Sequence, residues 1–249
     1  MQTNLFGHTE PEKIYKKGQS EVSYKQASSI LTKTSGFMNT YDFSLNPCTG
    51  CSFGCTYCYA AFFVRNKEKI DNWGYWVEVK ENALKLLKKR RKKSLDDKTI
   101  YLSSVTDPYQ PIEKDLELTR SLLKELVSYY KPRIVIQTRS NMVIRDIDLL
   151  KQFETVQVNM TVTTDSEKVR KVFEPYCPSN SVRIKAIQEI HAAGIPSCIT
   201  LTPLLPVEDA EIVIDHFEGH LSFTKQSTTR QCTLVIFLSR LRSEQRRVG

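Results

Sequence analysis

Asn46-Pro47-Cys48-Thr49-Gly50-Cys51-Ser52-Phe53-Gly54-Cys55-Thr56-Tyr57-Cys58-Tyr59 gathers four of the chain's seven cysteines into one short stretch. Cys51, Cys55 and Cys58 stand at the spacing C-x3-C-x2-C. One tight loop can aim three thiolates so spaced at a single point, which is what an iron-sulfur cluster needs. Three ligands leave one iron open, and an open metal position marks a site that binds and transforms something, because structural sites are closed by their own side chains. Two other readings of the same cysteines exist. Cys48/Cys51 and Cys55/Cys58 are each C-x2-C, as in a four-cysteine zinc module, but zinc ribbons separate their pairs by roughly 15–20 residues. The bacterial ferredoxin run C-x2-C-x2-C-x3-C-P differs in order and spacing. Cys48 is read as a small buried thiol outside the ligand set, with a spare ligand as the alternative.

Outward from this stretch the chain alternates strand and helix. Residues 41–46 alternate apolar and polar side chains and read as the strand that delivers the chain to the cysteines. Further strands are expected at 99–105, 133–138, 155–162 and 195–202, and helices at 116–130, 146–153, 166–173 and 181–193, the last stopped by Gly194. Such alternation implies a parallel sheet with right-handed crossovers. An open barrel fits best, with its active site at the C-terminal ends of the strands, and the cysteine loop follows the first strand as that rule requires. In the fourth strand Val156, Val158, Met160 and Val162 share one face and Gln157, Asn159, Thr161 and Thr163 the other. The polar face meets water in an open sheet or lines a ligand site in a barrel.

The composition is that of a globular chain: 249 residues, 40% hydrophobic and 10% aromatic, with few Gly and Pro. No signal-peptide pattern opens it and no long apolar run crosses a membrane, so a soluble cytoplasmic protein is expected. An odd number of cysteines, concentrated in one motif, suits a reducing compartment and a metal better than a disulfide framework. Cys177, Cys198 and Cys232 are isolated and read as core or incidental. The net charge of +8 suggests nucleic acid until its distribution is considered. Half of the excess lies in residues 218–249, with six Lys/Arg against two Asp/Glu. The one dense basic run, Lys88 to Lys93, ends a helix and reads as a solvated face.

With Tyr57 just before the last cysteine, C-x3-C-x2-C resembles the signature of the radical S-adenosylmethionine (SAM) superfamily. Asn46-Pro47, Gly50-Cys51, Tyr57-Cys58-Tyr59-Ala60, Ser104 to Pro111, Thr138-Arg139-Ser140, Arg145-Asp146, Phe173-Glu174-Pro175, Arg183 and Ala193-Gly194-Ile195 are together similar to its spore photoproduct lyase-like branch. The resemblance implies a partial (β/α)6 barrel and a 4Fe-4S cluster on Cys51, Cys55 and Cys58, whose free iron chelates SAM and whose electron cleaves it to methionine and a 5′-deoxyadenosyl radical. It also implies Thr106 and Asp107 near the SAM amino group, Arg139 and Ser140 near the carboxylate, Thr161 at the ribose and Tyr57 at the adenine. Bland alternatives stand beside these: Asp107-Pro108 opens a turn, Arg139 pairs with a structural carboxylate, and Thr161 is strand filling.

The chain departs from the lyase in two places. Ser104 stands where the lyase has a hydrogen-donating cysteine, so repair of the thymine photoproduct is not the expected reaction. Residues 218–249 lack a clear amphipathic helix, and only 233–238 reads as a strand, so the last βα unit is expected to be incomplete. The expected organisation is an N-terminal extension, 1–40, a radical SAM core, 41–217, and an atypical tail, 218–249. The expected function is a radical SAM enzyme, fed by an external reductant of flavodoxin or ferredoxin type, that abstracts hydrogen from an unidentified substrate, nucleic acid being one class. No acid-base pair or nucleophile stands out, as befits chemistry carried by the cofactor. The rivals are the zinc module bound to nucleic acid and an iron-sulfur electron carrier without SAM.

Overall fold

A computed structural model describes residues 15–209. Its ten strands are β1 Tyr15–Lys17, β2 Ser20–Lys25, β3 Leu31–Lys33, β4 Phe43–Leu45, β5 Cys48–Gly50, β6 Trp76–Lys80, β7 Thr99–Leu102, β8 Arg133–Thr138, β9 Val156–Thr161 and β10 Ser197–Thr200. Its helices are α1 Lys67–Asp71, α2 Ala83–Lys89, α3 Glu113–Leu116, α4 Leu118–Tyr129, α5 Ile147–Leu150, α6 Glu167–Phe173 and α7 Asn180–Ala192.

Six strands form the main sheet in the order β10-β9-β8-β7-β4-β3. The first five run parallel, and β3 closes one edge antiparallel to β4. The five strands expected from the pattern are thus present, linked by the expected helices, and the fold is mixed α/β. Among the described residues the sheet stays open between β10 and β3 and forms no closed barrel. Alternation explains the packing. Ile100, Leu102, Ile134, Ile136, Val158 and Met160 all turn to one side, where they meet Leu122, Leu123 and Leu126 of α4 in the main core. Each such side chain contributes roughly 1.5–3 kcal/mol when fully buried.

The polar side chains toward the C-terminal end of β9 do not face water, while Gln157 is half-buried. Asn159, Thr161 and Thr163 are buried, and they bond across the other face of the sheet: Gln137 Nε2 donates to Thr161 Oγ1 at 2.5 Å and Thr200 Oγ1 at 2.7 Å, and Cys198 Sγ donates to Asn159 Oδ1 at 3.0 Å. A buried polar face needs such partners.

A second sheet, β1-β2-β6-β5, was not expected. Residues 15–33, expected as an extension, supply β1 and β2 to it and β3 to the main sheet. Among the described residues no helix is long and apolar enough to cross a membrane. The expected incomplete last unit lies outside the described residues.

Because the main strands are parallel, their C-terminal ends share one side. Cys51 to Cys58 follow β4 and β5, Thr106-Asp107 follow β7, Arg139 follows β8, and Thr163 follows β9. Asn46 ties the first two segments: its Oδ1 accepts from Ser104 N at 3.0 Å and Val105 N at 3.1 Å.

Candidate metal and cofactor site

The cysteine loop is shaped by glycine. Gly50 ends β5 at φ +79°, and a Cβ there would lie 2.6 Å from the Trp76 carbonyl oxygen. Gly54, at φ +57°, meets Gly74, at φ +98°, backbone to backbone: a Cβ on Gly74 would lie 2.7 Å from Gly54 Cα. Only glycine permits that approach with positive φ. Two tight turns then wind the loop, Gly54 N to Cys51 O at 3.3 Å and Cys58 N to Cys55 O at 3.1 Å.

The turns bring the three spaced cysteines together and leave the fourth aside. Cys51 and Cys55 are buried in one apolar cluster with Phe53 and Cys177, against which Tyr57, Cys58 and Trp73 pack. Cys48, carried off on β5, is buried in a different cluster with Val22, Val77, Val79 and Ile112. The zinc module read from the sequence therefore loses Cys48, although Cys177 joins the other three in the cluster.

Among the described residues no three His, Cys, Asp or Glu side chains converge on a point for a single ion. Sulfurs around one tetrahedral zinc, each about 2.3 Å from the metal, nearly touch. A cubane is gripped at its corners, so its thiolates stand farther apart, and a donor set of three gathered soft thiols fits it. Burial pushes the Cys51 and Cys58 thiols up. Cys55 is lowered, first by Cys177, whose Sγ lies 3.8 Å from its own. Burying such thiolates is costly without a cation, and metal binding supplies one while releasing the protons.

At the strand ends the remaining predicted residues are well partnered. Thr106 Oγ1 donates to Gly50 O at 2.6 Å, holding β5 to the β7 loop. Asp107 accepts from Tyr109 N at 2.9 Å, Thr138 Oγ1 at 2.8 Å and Arg139 N at 2.8 Å. The carboxylate thus turns its own loop and fixes the end of β8. Burial raises its pKa against those hydrogen bonds. Ser140 accepts from Met142 N at 3.2 Å and so caps the 3-10 turn 141–146. Thr161 sits in the hydrogen-bonded inner face of the sheet.

Tyr57 and Arg139 meet. Arg139 Nη2 donates to Tyr57 Oη at 3.2 Å, and both approach Glu174, whose Oε1 accepts from Tyr57 Oη and lies 3.5 Å from Arg139 Nε. On its other side Glu174 Oε2 lies 2.8 Å from Arg183 Nη2, an ion pair whose alignment falls short of a hydrogen bond. Glu174 and Arg183 are fully buried. Burial works to raise Glu174, but Arg183 and Arg139 outweigh it and hold the carboxyl below its usual range.

Sequence reasoning gave Glu174 and Arg183 no role, and it read Cys177 as core or incidental, which is where it lies, but not as a neighbour of the cysteine loop. Their signal was faint. An acid before proline and a cysteine 119 positions beyond Cys58 have no local pattern that joins them to the loop.

A family model of the radical SAM superfamily matches residues 45–218. An uncharacterized protein of Methanocaldococcus jannaschii is 37% identical over 180 residues, 72% of this chain and 67% of that one. An uncharacterized protein of Acidianus two-tailed virus is 27% identical over 66% of this chain and 56% of its own length. Among solved structures, spore photoproduct lyase superposes with TM-score 0.57 at 18% identity, covering 80% of this chain and 58% of the lyase. A variant of that lyase, with bound AdoMet and dinucleoside spore photoproduct, aligns equally well. The chain spans little more than half the length of these solved structures, and at such identity the likeness is one of fold.

Proposed function

The chain belongs to the radical SAM superfamily, and on that premise we propose that it is an enzyme holding a 4Fe-4S cluster on Cys51, Cys55 and Cys58 and SAM across the strand ends. Together the cluster and SAM supply one-electron cleavage of the sulfonium and removal of hydrogen from a substrate. The observation that carries the reading is the gathering of the three spaced loop thiols, without Cys48 and with Cys177 beside Cys55, at the C-terminal ends of parallel strands near the Arg139 guanidinium.

Each residue then has work that follows from its surroundings. Arg139 pairs with the SAM carboxylate, for which a guanidinium is well shaped. Asp107, its oxygens already taken by three donors, acts by fixing the Arg139 backbone, and Thr106 acts by holding Gly50 in register. Ser140 sets the turn beyond Arg139. Thr161 offers a hydroxyl for the ribose, and Tyr57 an aromatic face for the adenine. We read the open parallel sheet as a partial (β/α)6 barrel whose polar inner face meets the substrate. That face is neutral, built of amides and hydroxyls, and suits a substrate rich in hydrogen-bonding groups, such as a nucleobase. The electron comes from an external reductant of flavodoxin or ferredoxin type. A cytoplasmic location accords with the six free thiols among the described residues.

Anaerobic reconstitution with iron and sulfide tests the reading. The expected result is a brown protein whose reduced spin-resonance signal changes when SAM is added. A colourless protein would overturn the cluster. A brown one indifferent to SAM would return the electron-carrier reading.

A further inference from the structure

The turn after α6 is tied to the cysteine loop at several points. Thr56 N donates to Phe173 O at 2.9 Å, and Tyr176 lies against Gly54, where a Cβ would approach its ring to 3.1 Å. Arg170 Nη1 holds the turn from beneath, donating to Glu174 O at 3.1 Å and Cys177 O at 2.9 Å. Glu174 is thus placed by backbone contacts before its side chain makes any.

Its side chain joins three elements. Oε1 takes Tyr57 from the cysteine loop, Thr163 Oγ1 from the end of β9 at 2.8 Å, and Arg139 from the end of β8. Tyr57 and Arg139 also touch each other, so the three groups close a triangle. Arg139 spends Nε and Nη2 on this triangle, and Nη1 takes no part in it. Two guanidiniums meet this carboxylate, and Arg139 also lies beside Cys55 while its backbone N–H donates to Asp107.

The geometry points to Glu174 as a positioning residue that clamps Tyr57 and Arg139 in one fixed relation, keeping the guanidinium turned toward an incoming carboxylate. The inference rests on the reading that Arg139 meets SAM. Glu174 touches neither SAM nor the cluster in this account, and acts only through the two residues that do. Its three acceptor contacts leave Arg139 little freedom in where it offers the rest of its guanidinium.

Glu174→Gln keeps the size of the side chain and removes its charge. The probe is SAM, titrated against the reconstituted protein by the spin-resonance change and by equilibrium dialysis, with iron content measured alongside. The expected result is iron loading equal to wild type with SAM bound about tenfold more weakly. Tyr57→Phe, which removes one hydroxyl, is expected to weaken SAM binding alone and to add nothing on the Glu174→Gln background, because residues acting as one unit are not additive. Unchanged affinity in Glu174→Gln, additive losses in the double variant, or parallel loss of iron and SAM would each overturn the inference. If Glu174→Gln fails to fold, Tyr57→Phe decides: weaker SAM binding with full iron supports the clamp, and wild-type affinity sinks it. A wild-type protein that loads iron but ignores SAM would instead defeat the functional reading, and that failure shows before any variant is made.

Discussion

Two clusters of ionised side chains are packed beside this sheet, and they balance their charges in opposite ways. Around Asp146, two guanidiniums meet three carboxylates: Arg120 lies 2.8 Å from Asp146 and 2.7 Å from Asp148, and Arg145 lies 2.9 Å from Asp146 and 2.8 Å from Glu113. Around Glu174, two guanidiniums share one carboxylate. The first cluster is closed, every cation having its anions, and it joins α4 to the 141–146 turn and to α3. The second shares one carboxylate between two cations, with Cys55 on the Arg139 side, and sits at the strand ends. On the proposed reading Arg139 meets an anionic ligand, whereas the first cluster serves the fold alone. Substitutions in the two clusters should therefore fail in different assays.

The largest effect on stability is expected at Asp146. Asp146→Asn strips a fully buried carboxylate of its charge and leaves Arg120 and Arg145 sharing exposed or single partners. Because Arg120 keeps Asp148 and Arg145 keeps Glu113, the lost charged hydrogen bonds are expected to cost about 1.5–3 kcal/mol. Urea unfolding should show that loss, while the protein that remains folded loads iron as wild type does. A loss below about 1 kcal/mol would mean that the Asp146 cluster is ornamental and the contrast empty.

Next comes the backbone contact that shapes the loop. Gly74→Ala forces a Cβ to within 2.7 Å of Gly54 Cα at φ +98°. The clash is backbone on backbone and cannot be relieved by a rotamer, so a cost of about 1–3 kcal/mol is expected. Because the strain falls on the cysteine loop, iron content should drop more than the unfolding midpoint does. Equal stability and iron in Gly74→Ala would show that the loop is set by its thiols alone.

These residues also show what the sequence disclosed and what it withheld. The five parallel strands were legible because each carries its own period: Val156, Val158 and Met160 announce a buried face wherever they pair. The three loop cysteines that cluster were legible because their spacing is local. The second sheet was not. Trp76 to Lys80 alternates as a strand does, but its parallel partner is Ser20–Lys25, more than fifty residues earlier and written in Ser, Glu and Lys. Glu174, Arg183 and Cys177 were withheld for the same reason, since their partners lie in other elements. Asp107 and Ser140 stood out as motif residues, and they spend their side chains on neighbouring backbone N–H groups.

Arg139→Gln should affect stability least and SAM binding most. The substitution removes one of the two cations and leaves Glu174 paired one to one with Arg183, so the unfolding free energy should stay within about 1 kcal/mol of wild type. The spin-resonance response to SAM should disappear. This is the mirror image of Asp146→Asn. A large destabilisation in Arg139→Gln would erase the distinction between the two clusters.

The smallest effect separates the clusters by acid and salt. The hydrogen bond to Arg120, against a lesser opposing effect of burial, lowers Asp148 from 3.8 to about 2. Glu174 is lowered too, with Arg183 and Arg139 outweighing its burial. A carboxyl lowered in the fold stabilises it at pH values above the unfolded pKa, and that contribution disappears as pH falls through the folded pKa. Stability should therefore decline below about pH 4, and Asp148 loses its share by about pH 2. Asp107 and Glu113, raised by burial, act in the opposite sense and blunt the decline. Asp148 is 57% exposed, so its share is small and screened by salt, whereas Glu174 is buried beyond the reach of ions. Thermal unfolding from pH 5 to pH 2, at low and at 1 M salt, should show a salt-sensitive component that Asp148→Asn reduces, Asp42 and Glu167 supplying the rest, and a salt-insensitive one that it leaves. If Asp148→Asn removed the salt-insensitive component as well, the cluster around Glu174 would carry no acid-sensitive stability of its own.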